Sequence, residues 1–168
     1  IGAGAVGCYF VAGLKEKSGE NLWVIAEGER KERLEREGLW INGQQFFPCV
    51  KAPEEAVGAD LILVSVKYGG LEKILPWIET MTDSHTVVMR LLNGVDSEEI
   101  IGKRIGMEHM VYSLMKIASQ RTGNQIRYDP EKTAGVFFGE KDCCVSERVK
   151  ALCRLLDGSG VHYRVCQN

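Results

Sequence analysis

Three glycines near the start of the chain, spaced Gly2-x-Gly4-x-x-Gly7, can do chemistry with their backbone alone. The first allows a tight strand-to-helix turn. The second keeps a side chain away from an approaching pyrophosphate, and the third lets the helix lie close to the strand. The amides between them, including those of Ala3, Ala5 and Val6, then face an anion at the positive end of a helix dipole. The turn from Gly2 to Gly7 is therefore a candidate dinucleotide-binding site.

A carboxylate about twenty residues further on, at the end of the next strand, would accept hydrogen bonds from the adenosine ribose. Glu27 stands there, and it favours NAD because it repels a 2′-phosphate. Arg30 and Lys31 follow and could embrace that phosphate instead, so NAD and NADP both stay open. Lys67, after Val64-Ser65-Val66, offers an ammonium at a strand end for a cofactor or substrate anion. Asn93-Gly94, after Leu91-Leu92, offers an amide donor and acceptor together, suited to a ribose, a nicotinamide amide or a substrate carbonyl. Tyr68 is expected to pack as wall beside Lys67, and His85, His109 and His162 read as ordinary residues.

These groups need elements to hold them. Val6, Phe10, Val11 and Leu14 share a face of a helix expected from Ala5 to Lys17 and stopped by Ser18-Gly19. Leu22–Ala26 reads as a strand and Glu29–Glu37 as a charged helix anchored by Leu34. Leu39 to Val50 reads as a hairpin about Asn42-Gly43, a strong tight-turn pair. Leu61–Val66 and Thr86–Leu92 read as strands buried on both faces, the second interrupted by Arg90.

Between those strands Leu71, Ile74, Leu75 and Ile78 have helical spacing, with Pro76 expected to kink or restart the helix. Asp96 to Glu99 reads as a capping box opening the next helix. Met110–Met115, Gln125–Tyr128 and Val136–Phe138 read as strands that close the sheet. A last helix from Ser146 carries Val149, Leu152, Cys153 and Leu156 on one face, and Val161–Val165 is a final strand. Such alternation predicts an α/β fold, a doubly wound, Rossmann-type and mostly parallel sheet with ligands beyond the carboxyl ends of its strands.

The chain has 168 residues, enough for one domain with a sizeable core. Its net charge of −2 gives no electrostatic reason to expect nucleic acid, and it has no apolar run long enough to span a membrane. Six cysteines without metal-ligand spacing read as reduced thiols of a cytoplasmic protein. The sequence opens on Ile1, at the edge of the glycine turn. The strand that should feed that turn is largely lacking, so residues 1–168 read as a fragment of a longer chain.

The pieces Ile1-Gly-Ala-Gly-Ala-Val-Gly-Cys8, Gly38-Leu-Trp-Ile-Asn-Gly43, Ala59-Asp-Leu-Ile-Leu-Val-Ser-Val-Lys67, Leu92-Asn-Gly-Val95 and Gln120-Arg-Thr-Gly123 stand in one order along the chain. Together they resemble the amino-terminal, NAD(P)-binding domain of ketopantoate reductase (2-dehydropantoate 2-reductase). The resemblance implies reduction of a small 2-keto acid, ketopantoate, to pantoate with hydride from NADPH, a step of pantothenate synthesis. It implies that Lys67 and Asn93 lie near the nicotinamide and substrate, and that Ser119 touches the cofactor.

Two departures stand out. The family has an arginine for the 2′-phosphate where this chain has Glu27. It also carries its catalytic lysine acid in a second, helical domain expected beyond Asn168, so no catalytic residue is expected in residues 1–168 and they are expected not to turn over substrate alone. A homodimer is expected to form through that second domain. The alternatives are a related NAD(P)-dependent 2-keto acid or hydroxy acid oxidoreductase, and a non-catalytic dinucleotide-binding module.

Overall fold

The computed structural model describes residues 1–92 and 96–167. In chain order the elements are α1 (Ala5–Ser18), β1 (Trp23–Ile25), α2 (Gly28–Glu37), β2 (Leu39–Ile41), β3 (Gln44–Phe46), β4 (Cys49–Lys51), β5 (Leu61–Val64) and α3 (Leu71–Met81). There follow β6 (Val87–Arg90), α4 (Ser97–Ile105), β7 (Met110–Lys116), β8 (Ser119–Thr122), β9 (Gln125–Tyr128), β10 (Gly135–Gly139), α5 (Glu147–Leu156) and β11 (Tyr163–Val165).

The main sheet runs β11-β10-β7-β6-β5, with β5, β6 and β7 parallel and β10 antiparallel to β7. Alternate residues of its central strands feed two cores. Met89 and Val111 face α1 and α5 through Phe10, Leu14, Val149 and Leu152. Ile62, Val64, Val88 and Met110 face α3 and α4 through Leu71, Ile78 and Ile101. Helices on both faces explain why these strands are apolar throughout. The result is a mixed α/β, Rossmann-like fold with mostly parallel strands.

Ile1 runs alongside β5: its amino group donates to the Leu63 carbonyl at 2.6 Å and its carbonyl accepts from the Ser65 amide at 2.8 Å. Strands β1 and β4 pair parallel, Val24 opposite Val50. The expected hairpin therefore ends at Phe46, because the chain after Pro48 crosses to β1 instead of extending β3. Its turn is as expected, with Asn42 (φ 51) and Gly43 (φ 80) both left-handed, the twist a two-residue hairpin needs.

The β-rich stretch behaves differently from its sequence pattern. Strands β7 and β10 do join the main sheet, but β8 and β9 leave it. They add to β2 in a separate sheet ordered β3-β2-β9-β8. Asn42 fixes that junction: its amide donates to the Ile126 carbonyl at 2.8 Å and its side-chain oxygen accepts from the Tyr128 amide at 2.9 Å. Ile126 is then buried with Leu39 and Ile41 against Cys8 and Val11 of α1.

Two helix expectations also change. Helix α3 runs through Pro76 without a break. Its buried face of Leu71, Ile74, Ile78 and Met81 holds it on the sheet, and the carbonyl that Pro76 leaves unpartnered belongs to exposed Glu72. Helix α4 opens after Asp96 with no side-chain cap, because the Asp96 carboxylate accepts from the Tyr68 hydroxyl at 2.7 Å instead. Helix α5 keeps its cap: the Ser146 hydroxyl accepts from the Val149 amide at 3.2 Å.

Candidate functional site

The glycine turn sits where Ile1 and β5 meet α1. Gly2 has φ +96, a left-handed backbone that only glycine adopts without strain, and a Cβ there would come within 2.8 Å of the Ser65 backbone. The Ser65 hydroxyl braces the turn from behind, donating to the Gly2 carbonyl at 2.6 Å. A Cβ on Gly7 would lie 1.9 Å from the Gly2 carbonyl oxygen, so the helix packs against the turn as closely as backbone allows. Gly4 is the exception, since a Cβ there meets nothing within 4 Å. The first two glycines named are walled in by protein, whereas the third faces open space at the start of α1. Backbone amides at a helix start with no side chain in the way can receive an anion.

Ser65 also carries the chain from the turn to Lys67, which lies just past the end of β5, exposed. Its neighbour Tyr68 is not packed as wall. It is 48% exposed and reaches across to Asp96 at the start of α4. Asn93 lies outside the described residues. Arg90, just before it in sequence, does not break its strand. It is buried with its Nε 2.5 Å from the Glu98 carboxylate, while a second guanidinium nitrogen donates to the Leu92 carbonyl at 2.5 Å. An arginine neutralised in this way can occupy a core strand.

The residues expected at the adenosine end divide. Glu27 is exposed at the end of β1, immediately before α2. Lys31 is turned away, its ammonium 2.8 Å from the Glu55 carboxylate, which holds the Lys31 pKa above the usual lysine value. Arg30 instead faces a cleft of about 220 Å³ that it shares with Ala3 and Cys8 of the glycine turn and helix. Arg33 and Arg121 line the same cleft. Sequence reasoning passed over Arg33 and Arg121 as binding residues. Ser119, expected to touch cofactor, is exposed on β8 two residues before Arg121.

Burial pushes the Cys8 thiol up to about 11, with Arg121 and Arg30 pulling it partly back, so it stands as a neutral thiol. Residues 1–140 match the family model described as ketopantoate reductase PanE/ApbA. The chain belongs to the ketopantoate reductase family. It is 30% identical over 100 residues to a 2-dehydropantoate 2-reductase of Mesorhizobium japonicum, a match that covers 56% of this chain and 31% of that one. The 2-dehydropantoate 2-reductase structure from Geobacter metallireducens superposes with a TM-score of 0.82 at 25% identity, covering 99% of this chain and 56% of that one.

A D-mandelate dehydrogenase solved in complex with NADH superposes with a TM-score of 0.80, also at 25% identity and over 99% of this chain and 54% of that one. The chain thus spans about half the length of the solved relatives. These relatives are oxidoreductases, and the two solved ones superpose over 99% of this chain. No helix among the described residues is long and apolar enough to cross a membrane.

Proposed function

We propose that this chain forms the dinucleotide-binding part of an NAD(P)H-dependent 2-dehydropantoate 2-reductase, which converts ketopantoate to pantoate. The observation that carries the reading is Gly4: open on its Cα side at the first turn of α1, between two glycines that have no room for a side chain. That pattern leaves the amides from Ala3 to Gly7 to receive a pyrophosphate. The bound nicotinamide supplies the hydride. Lys67 would offer its ammonium to the carboxylate or carbonyl oxygen of a 2-keto acid, and Asn93 would orient the ring or the substrate. The proton for the reduced oxygen comes from the lysine acid that the family carries in its second domain, and the soluble cytoplasm fits a reaction of this kind.

A related reaction on another 2-keto or hydroxy acid is the second reading, favoured by the likeness to D-mandelate dehydrogenase. Titration of the protein with NADH and NADPH, followed by tryptophan fluorescence, tests the first step. Binding of either is expected, and Gly4→Val should abolish it while leaving the far-ultraviolet circular dichroism unchanged. Undiminished binding by Gly4→Val would place the dinucleotide elsewhere. Reduction of ketopantoate in preference to phenylglyoxylate by the full-length enzyme separates the two substrates.

A further inference from the structure

Lys67 is carried by a turn with little of its own to hold it. Lys67, Tyr68 and Gly69 are all exposed, between β5 and the buried Leu71 that opens α3. Inside the turn the Gly70 amide donates to the Lys67 carbonyl at 2.8 Å. A Cβ on Gly69 would meet nothing within 4 Å, and one on Gly70 would meet the Val66 side chain at 3.9 Å. Neither glycine is packed in place, and glycine left unpacked has the widest choice of backbone conformations. A side-chain bond leaves this turn and crosses to another element: the Tyr68 hydroxyl donates to the Asp96 carboxylate at 2.7 Å.

The far end of that bond is firm. Asp96 stands directly before α4, whose first residues Ser97 and Glu98 are buried, Glu98 against Arg90 of β6. Strand β6 lies beside β5 and parallel to it, Val64 opposite Arg90, so both turns leave the same edge of the sheet from strands about 4.8 Å apart. Asp96 gives up a helix cap for this contact, since an aspartate in its position ordinarily accepts from amides of its own helix. Tyr68 leaves about half of its surface in solvent, so its hydroxyl, more than packing of its ring, fixes where it stands. The Asp96 carboxylate also holds the phenol above the usual tyrosine range, and the bond keeps its proton at neutral pH.

Resting on the reading that Lys67 meets the substrate, we propose that Tyr68 is a positioning residue: its bond to Asp96 ties the Lys67 turn to the start of α4 and so aims the ammonium at the 2-keto acid. Without the hydroxyl, Lys67 rides on a turn that can take many conformations, and the orientation of the charge is lost. The glycine turn does not depend on this tie, because Ser65 braces it from behind.

Steady-state kinetics of ketopantoate reduction by the full-length enzyme test this with Tyr68→Phe, Asp96→Ala, Asp96→Asn and Lys67→Ala, together with calorimetric titration of each by NADPH and NADH. Tyr68→Phe should lower kcat/KM about tenfold, and Lys67→Ala by more, with dinucleotide affinity within about twofold of the parent and unchanged circular dichroism. Asp96→Asn, whose amide oxygen still accepts the bond, should lose less than Asp96→Ala. In a Lys67→Ala background, Tyr68→Phe should have no further effect, because a residue that acts through another falls silent once that other is gone. Losses that multiply in the double variant, a loss of dinucleotide affinity in Tyr68→Phe, or parental kcat/KM in Tyr68→Phe while Lys67→Ala loses activity, each overturn the inference and leave the proposed function standing. Parental kcat/KM in Lys67→Ala overturns the inference together with the substrate role given to Lys67.

Discussion

Two kinds of arginine occur in this molecule. Arg90 and Arg148 are spoken for. Arg90 meets Glu98 at 2.5 Å with both side chains about nine-tenths buried, and it ties the end of β6 to the first turn of α4. Arg148 grips both oxygens of Glu140 at 2.6 Å, donates to the Met110 carbonyl at 3.0 Å and also reaches the Glu108 carbonyl, joining α5 to the start of β7. Arg30 and Arg121 lie at the rim of an open cleft with no carboxylate in ion-pair reach among the described residues. Burial without a partner would be prohibitive for the first pair, whereas solvent tolerates the second. The first pair is used up by the fold, and the second keeps its charge open to the cleft.

The largest effect that sharpens this contrast comes from removing a buried partner. Glu98→Ala strands the Arg90 guanidinium in the core, and unfolding in urea should show a loss of about 3–5 kcal/mol. The ratio of NADPH to NADH affinity in the surviving folded protein should not move, because Arg90 faces the α4 junction and not the cleft. A loss under about 1 kcal/mol would mean that the pair does not hold the fold, and the distinction between the two kinds of arginine would weaken.

A smaller effect comes from the half-buried pair. Arg148, then the Ser146 hydroxyl, hold the Glu140 carboxyl below the usual glutamate range, against the opposing effect of burial. A carboxyl depressed in the folded state adds stability above its ordinary value of 4.5, and that stability is lost as the pH falls through the folded value. Glu140→Gln should therefore cost roughly 1–2 kcal/mol at neutral pH and flatten the acid limb of the melting temperature below pH 4.5. An unchanged acid limb in the variant would show that other carboxyls govern it.

The legible and the illegible parts of the molecule follow the same division. The glycine turn, β5, β6 and the Asn42-Gly43 turn were readable because each depends on local backbone or on contiguous apolar residues. The parallel pairing of β4 with β1 and the departure of β8 and β9 to the β2 sheet were not, because strand partners are chosen across a long span of chain. Arg121 was hidden for that reason: its neighbour Arg30 is far away in sequence and meets it only once β9 has paired with β2. Arg90, by contrast, looked like a fault in a strand, and its partner eight residues on was in plain view as Glu98. A charged residue in an apolar strand could have been searched for its counter-ion along the following helix.

The finest test concerns two neighbours that sequence could not tell apart. Arg30 and Lys31 both follow Glu27, and both were candidates for a 2′-phosphate. A helix separates adjacent side chains by about 100°, so the two point in different directions. Here Arg30 faces it, and Lys31 pairs at 2.8 Å with Glu55, whose carboxylate also accepts from the Ala52 amide at 2.7 Å. Lys31→Met breaks a solvent-exposed pair, so stability should barely change. NADPH affinity should also stay within about twofold of the parent, whereas Arg30→Met should weaken it by several-fold. Equal losses in the two variants would mean that Lys31 leaves Glu55 to meet the phosphate, and the cleft would then draw its charge from both sides of α2.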